Sequence, residues 1–364
     1  MYSTPKRLSS LTIGGYGSKA QSLPWAHEER PYAPSDFDAD AQNDFASRIA
    51  AFAVDNGVNA VLAPTRPLYG PLDPWLKVDI KACEALRRAL DAEGGPDIAV
   101  DYPLFANYET LRDEADRRAI VKALKDVPFE NLWLRVSGFG SGATPVGVRR
   151  YINGARDFRA LDKPIIADGV GGLVGLATVA FGSVDGIAHG IAEKERFDAK
   201  AWKKPRTSQS GGSPLRVYLP GMDIYLTIEQ AHELFESRGA KSILACNDTS
   251  CCPKGIEDML SDPKAHFLIQ RSRQISELNR VPKARRADEF LRRQLLPAGN
   301  TARKVERLNL SNTKLAEKLR QQSRRLDQMF QVLDDLHRTS GLGSEALAPK
   351  LRARGNRLSP ASGR

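Results

Sequence analysis

The sequence predicts an α/β fold: a TIM (β/α)8-like barrel, followed by a zinc-associated helical segment and a C-terminal coiled-coil helix. Three observations carry this. Short apolar runs alternate with helix-spaced amphipathic stretches over residues 1–245. The runs are apolar on both faces, as strands of a buried parallel sheet must be. Eight such units in roughly 250 residues match the barrel in number and size. An open doubly wound sheet is the alternative.

The first strand is read at 11–17, ending in a Gly-rich turn, and residues 22–44, rich in Pro, Asp and aromatics, read as a loop. Residues 45–56 carry Ala46, Ile49, Ala50 and Ala53 at helical spacing, and Gly57 ends that helix. Then come a strand at 59–64, a helix at 78–93, a strand at 98–102 and a helix at 108–125. The strand at 131–136 runs into the turn 138–142. A helix at 146–161, a strand at 164–168, a helix at 173–181 and a short strand at 186–189 follow. Residues 194–214, rich in Lys, Ser and Gly, read as a mobile loop. Strands at 216–220 and 242–246, with a helix at 227–237 between them, complete the set.

Asp101, Arg135, Asp168, His189, Asp223 and Asp248 each fall at or just past the C-terminal end of a predicted strand. In a barrel that rim is where sites are built. Each residue alone reads as a helix cap or a loop ion pair; jointly they predict a polar pocket. Asp101, Asp168 and His189 are the catalytic candidates, and Arg135 and Asp223 are substrate-binding candidates. The turns 138–142 and 169–172 offer backbone N–H groups to an anion near a helix N-terminus. Neither has the Walker or dinucleotide spacing, and both also read as plain tight turns.

The chain has four cysteines and five histidines. Cys246, Cys251 and Cys252 fall within seven residues, and thirteen residues separate Cys252 from His266. Three thiolates and an imidazole suit tetrahedral Zn²⁺. A buried strand end with small residues at a turn is the plainer alternative, and a disulfide a weaker one, because nothing marks the chain as secreted. The zinc-type segment is assigned to 246–296, with His266 in the first turn of a helix over 263–279.

The clearest periodicity lies at 301–338. Val305, Leu308, Asn312, Leu315, Leu319, Gln322, Leu326, Met329, Leu333 and Leu336 alternate at intervals of three and four, a heptad a/d pattern. Asn312 would sit at an a position and fix register. The preferred reading is a homodimer through 305–336; the alternative is one long helix docked on the barrel. Residues 339–364 read as a disordered basic tail.

Net charge is +10 but uneven: residues 264–364 hold 23 Lys and Arg against 9 Asp and Glu, a balance of +14, leaving −4 on residues 1–263. A mildly acidic body with a basic C-terminal third suggests an anionic partner, most often nucleic acid, RNA or DNA. A solvated basic helix surface is the alternative. No signal-peptide pattern opens the chain, and its longest apolar stretch, 169–184, is shorter than the roughly 20 residues of a membrane span. The expectation is a soluble cytoplasmic protein with no membrane association.

Barrel, late cysteine cluster and following histidine together resemble the tRNA-guanine (queuine) transglycosylases and their DNA-modifying relatives. The run from Ala167 through Asp168, Gly171 and Gly172 to Gly175 resembles that family's Gly-Gly-x-x-x-Gly base-recognition loop. Ile13-Gly14-Gly15-Tyr16 resembles its Ser-Gly-Gly-Phe turn, and 266–285 its helical segment after zinc. The resemblance implies a structural zinc, base recognition by Gly171 and Gly172, and exchange of guanine for a 7-deazaguanine base in nucleic acid. The chain departs from the family in its C-x4-C-C-x13-H spacing. Thr12 stands where the family has a catalytic Asp. After Val184-Asp185, Ala188 stands where the family has its nucleophilic Asp, with His189 next. The expected function is transglycosylase-like base exchange or modification. A non-catalytic nucleic-acid-binding or assembly protein, and a barrel enzyme on a small metabolite, are the alternatives.

Overall fold

A computed structural model describes residues 45–191, 195–199 and 214–339. The strand expected at 11–17, most of the loop at 194–214 and the tail after 339 lie outside the described residues. The elements are α1 (Phe45–Asp55), β1 (Ala60–Leu62), β2 (Pro67–Leu68), α2 (Pro74–Ala92), β3 (Ala99–Asn107), α3 (Tyr108–Arg112), α4 (Glu114–Leu124), β4 (Asn131–Ser137), α5 (Pro145–Asp157), β5 (Ile165–Asp168), α6 (Gly172–Ala180) and β6 (Gly186–Ala188). The C-terminal portion holds β7 (Arg216–Leu219), β8 (Ile224–Thr227), α7 (Ile228–Glu236), α8 (Ala240–Leu244), α9 (Ile256–Ser261), α10 (Pro263–Arg280), α11 (Arg286–Glu289), α12 (Leu296–Glu306) and α13 (Thr313–Thr339).

β1, β3, β4, β5 and β6 form a curled parallel sheet in that order, half of a barrel, with β2 also pairing β3. A full TIM barrel is not formed among the described residues. Val100, Tyr102 and Leu104 of β3, Leu132, Leu134 and Val136 of β4, and Ile165 and Ala167 of β5 share one face and are buried in the main core with the helices. Asp101 and Phe105, Asn131, Trp133 and Arg135, and Ile166 and Asp168 point to the other, concave face, because side chains alternate along a strand.

The expected strand at 98–102 continues to Asn107. Pro103 reads as its end, since proline cannot donate to a ladder. The Pro103 carbonyl faces the sheet edge, where it accepts from the Thr65 hydroxyl at 2.6 Å. There β1 has ended and β2 has not begun, so no partner asks for the missing N–H.

Two further expectations are corrected. The strand at 216–220 does not join the parallel sheet: β7 pairs antiparallel with β8 through a turn holding Asp223 at φ 49°. The strand at 242–246 is the helix α8, entered from Gly239 at φ 89°. A short apolar run such as Ile243-Leu244-Ala245 fits helix or strand equally, and periodicity cannot separate them.

The heptad segment is two helices. The break at 307–312 separates α12 from α13, and Asn312 caps α13 by accepting from Leu315 N at 3.0 Å. It is therefore a helix start, not a register residue in a seam. Leu315, Leu319, Leu326, Met329, Leu333 and Leu336 are buried within the chain's own core. Gln322, also at a heptad position, donates to the carbonyls of Met222 and Asp223 at 2.8 and 3.0 Å and so holds the β7–β8 turn. A helix docked on its own chain accounts for the pattern. Among the described residues no helix is long and apolar enough to cross a membrane.

Candidate metal centre and buried carboxylate cluster

Asp248 builds the cysteine loop. Its carbonyl accepts from Cys251 N and Cys252 N at 3.0 and 2.7 Å, and its carboxylate from Ser250 N at 3.0 Å. Arg273 of α10 pairs with that carboxylate. Asp262 caps α10 by accepting from Ala265 N, which puts His266 in the first turn. Cys251, Cys252 and Cys246 thereby meet His266, all four ligand atoms lying within 4.8 Å of one another.

The spacings suit one ion. Metal–sulfur bonds of about 2.3 Å and a metal–nitrogen bond of about 2.05 Å at tetrahedral angles give S···S edges near 3.8 Å and S···N edges near 3.6 Å. The Cys251 and Cys252 sulfurs are 3.7 Å apart, and each lies 3.4 Å from His266 Nδ1. His266 Nε2 lies 3.1 Å from the Tyr218 carbonyl, which accepts only from an N–H. That contact assigns the proton to Nε2 and leaves the Nδ1 lone pair facing the sulfurs, the arrangement of a metal-binding histidine. Burial lowers the His266 pKa and favours neutral imidazole. Burial raises the Cys251 and Cys252 thiols, and hydrogen bonding among the cysteines raises Cys252 further. Three sulfurs packed this way ionise at little cost only beside a cation, so the donor set fits a metal. Cys246, His266, Gln270 and Arg273 border a cleft of about 480 Å³, so solvent reaches the centre.

A second cluster lies at the N-terminus of α6. Glu195 accepts from Gly172 N at 3.2 Å, and Asp223 from Leu173 N at 2.9 Å. At this helix end the amides of Gly172 and Leu173, beside Gly171, are thus occupied by the chain's own carboxylates. A Cβ on Gly171 would strike Glu195, and one on Gly172 would lie 2.8 Å from Asp223. The turn 138–142 is also in use: Gly138 N and Ser141 N donate to the carbonyls of Phe197 and Glu195, each at 2.8 Å.

Arg271 lies between the two carboxylates, 3.1 Å from Glu195 and 3.9 Å from Asp223. Tyr218 donates its hydroxyl to Asp223 at 2.9 Å. Burial raises the Glu195 pKa, Arg271 opposes that and Asp223 adds to it. Burial alone would lower Arg271; the surrounding acids and tyrosines push it above its ordinary value. Asp223 is therefore a buried carboxylate held by Leu173 N, the Tyr218 hydroxyl and Arg271. His189 lies at the edge of this cluster, its Nδ1 2.9 Å from the Gly190 carbonyl and 3.8 Å from Glu195.

Asp168 closes β5 and pairs with Arg135, whose guanidinium also lies over Phe105 and Phe197. Burial raises the Asp168 pKa against the pull of Arg135. Asp101 does not join it. It registers with Asn131, whereas Asp168 registers with Arg135, four residues on, a separation of about 13 Å along the strand. Asn131 and Trp133 hold its carboxylate at 2.7 and 2.8 Å. Asp101 seemed to end a strand only because β3 appeared to stop near Pro103.

Glu195, Arg271 and Tyr218 escaped the sequence reading. Arg271 left a trace, lying five residues after His266 between Phe267 and Leu278 on one buried helix face. Nothing in the run around Glu195 marks it. No protein-family model matches the chain, and no curated protein matches it.

Proposed function

We propose that the chain is a transglycosylase-like enzyme that exchanges or modifies a base in nucleic acid, guanine to 7-deazaguanine type chemistry, around a structural zinc. The observation that carries it is the three-sulfur, one-nitrogen ligand set following a curled parallel sheet with an acid at its C-terminal rim. Cys246, Cys251, Cys252 and His266 would hold the ion. Four protein ligands leave no open position, so zinc would clamp α10 to the cysteine loop and supply no Lewis acid. Displacing a base needs a nucleophile at the sugar carbon and a proton carrier for the heterocycle. Asp168 takes the first role in this proposal, with Arg135 favouring its ionised form. His189 follows Ala188, the residue paired with Asp168, and takes the second. The basic C-terminal third would hold phosphates.

The test is incorporation of radiolabelled guanine into tRNA or DNA by purified protein. Incorporation lost in Asp168→Asn with metal content unchanged supports the proposal; none into either nucleic acid overturns it. A second reading, a non-catalytic nucleic-acid-binding protein, is favoured by the fact that Asp101, Asp168 and Glu195 are all tied to donors of the chain itself. Salt-dependent binding without exchange would select it.

A further inference from the structure

We propose that Tyr218 couples the metal centre to the buried carboxylate cluster, so that filling the metal centre sets Arg271 between Glu195 and Asp223. The inference rests on the metal reading and is independent of any reaction.

Tyr218 touches both centres with different atoms. Its carbonyl accepts from His266 Nε2 at 3.1 Å, and its hydroxyl donates to Asp223 Oδ1 at 2.9 Å. Its ring packs edge-on to Phe267, with centroids 5.6 Å apart, and lies under the Arg271 guanidinium at 4.9 Å. α10 is shared as well: His266 and Arg271 are both buried on it, one turn and a half apart. Metal bonds to His266 would fix the register of α10 against β7 and the cysteine loop, and the same register brings Arg271 to the carboxylates. Loading Nδ1 with a cation also strengthens the Nε2–H donation to Tyr218.

The far side of the cluster is sensitive to that placement. Glu195 and Asp223 are buried, 4% and 8% exposed, and share one guanidinium. If Arg271 and the Tyr218 hydroxyl shift, the two buried carboxylates keep the amides of Gly172 and Leu173 and, for Glu195, His189 at 3.8 Å, but lose the guanidinium they share. Hydrogen bonds weaken steeply as alignment and distance degrade. α10 also packs directly on α6, and a Tyr218→Phe variant, which keeps that packing, isolates the share of the response carried by the hydroxyl. The N-terminus of α6 therefore reports on metal occupancy.

The experiment is amide hydrogen exchange read by mass spectrometry on full-length protein, with Zn²⁺ bound, after 1,10-phenanthroline, and after Zn²⁺ is restored. Metal stoichiometry is measured on the same samples. Removal should speed exchange at 171–174 by about tenfold, leave β3 unchanged and reverse on reloading. Tyr218→Phe should keep its metal yet show fast exchange at 171–174 whether loaded or not. Should that variant lose metal, Asp223→Asn tests the same link from its other end. Protection at 171–174 that ignores metal, or a Tyr218→Phe profile like wild type, overturns the coupling. So does equal acceleration in β3, which means global unfolding. A protein that takes up no metal overturns this inference together with the zinc reading; metal uptake without a response at α6 overturns this inference alone.

Discussion

Truncating Leu326 to alanine separates a docked helix from a dimer seam. Leu326 is fully buried in the middle of α13, and the Cα of Gly299 on α12 comes so near that a Cβ there would lie 4.0 Å from the Leu326 Cβ. The two helices therefore cross closely, and removing the isopropyl end leaves a hole that neither backbone can fill by moving inward. Buried Leu→Ala changes cost about 2.7–5 kcal/mol where the site collapses poorly. Against the roughly 5–15 kcal/mol that holds a domain folded, that is a large fraction. The assay is urea unfolding followed by circular dichroism at two protein concentrations tenfold apart. For a helix docked within one chain, the loss is the same at both concentrations and wild type itself does not move. For a self-associating seam, a tenfold dilution removes about 1.4 kcal/mol of apparent stability from wild type. A concentration-dependent wild-type midpoint, or a Leu326→Ala loss under about 1 kcal/mol, refutes the docked reading.

Two other consequences are accessible. X-ray absorption on zinc-loaded protein should give three sulfurs near 2.3 Å and one nitrogen near 2.05 Å, and Cys252→Ser should lower metal content and melting temperature together. Full stoichiometry in that variant would remove Cys252 from the ligand set. Asp79 is buried beside Arg66, and burial raises its carboxyl from 3.8 to about 7 against the pull of Arg66. An acid whose folded pKa is raised binds its proton more tightly when folded, so stability falls as pH rises through the window from about 4 to about 7. Asp79→Asn should flatten that slope in urea titrations at pH 5 and pH 8; an unchanged slope assigns it elsewhere.

Legibility followed locality. β4, β5 and β6 emerged from the sequence nearly to the residue, because each is a short, mostly apolar run bounded by polar or glycine-rich turns. α1 emerged because Ile49, Ala50 and Ala53 repeat at one helical period and Gly57 stops it. The four candidate ligands were legible because three share one loop and the fourth lies in the first turn of α10, with Asp262 and Pro263 marking its start. β3 was cut short because what rescues Pro103 is an interruption in a different strand. Gln322 reads in the sequence as one more heptad position because its partners, the carbonyls of Met222 and Asp223, lie about a hundred residues away in the chain. Glu195 and Arg271 are 76 residues apart and belong to no motif. A contact between distant side chains leaves no period in a sequence, and here those contacts make up the carboxylate cluster.

The segment from 237 to 262 has little reason to hold its shape unaided. α8 has five residues and α9 has six, far below the length at which a helix persists in water. Leu244, Cys252 and Met259 are the hydrophobic side chains it buries, alongside Ala240. Its loop is fixed by Asp248, a residue held by the half-exposed Arg273. What closes it onto α10 is the meeting of three sulfurs with His266, and a metal bound there would replace the core this stretch lacks. The parallel sheet is different: Val100, Leu104, Leu132, Leu134 and Ile165 are fully buried without help from the cysteine loop. Chelation should therefore open 237–262 while leaving the sheet intact. Limited trypsin digestion read by mass spectrometry would show first cuts at Lys241 and Lys254 in metal-stripped protein, both protected by Zn²⁺. First cuts within 99–188 would mean that the ion supports the sheet itself, and the division of labour drawn between loop and sheet would be wrong.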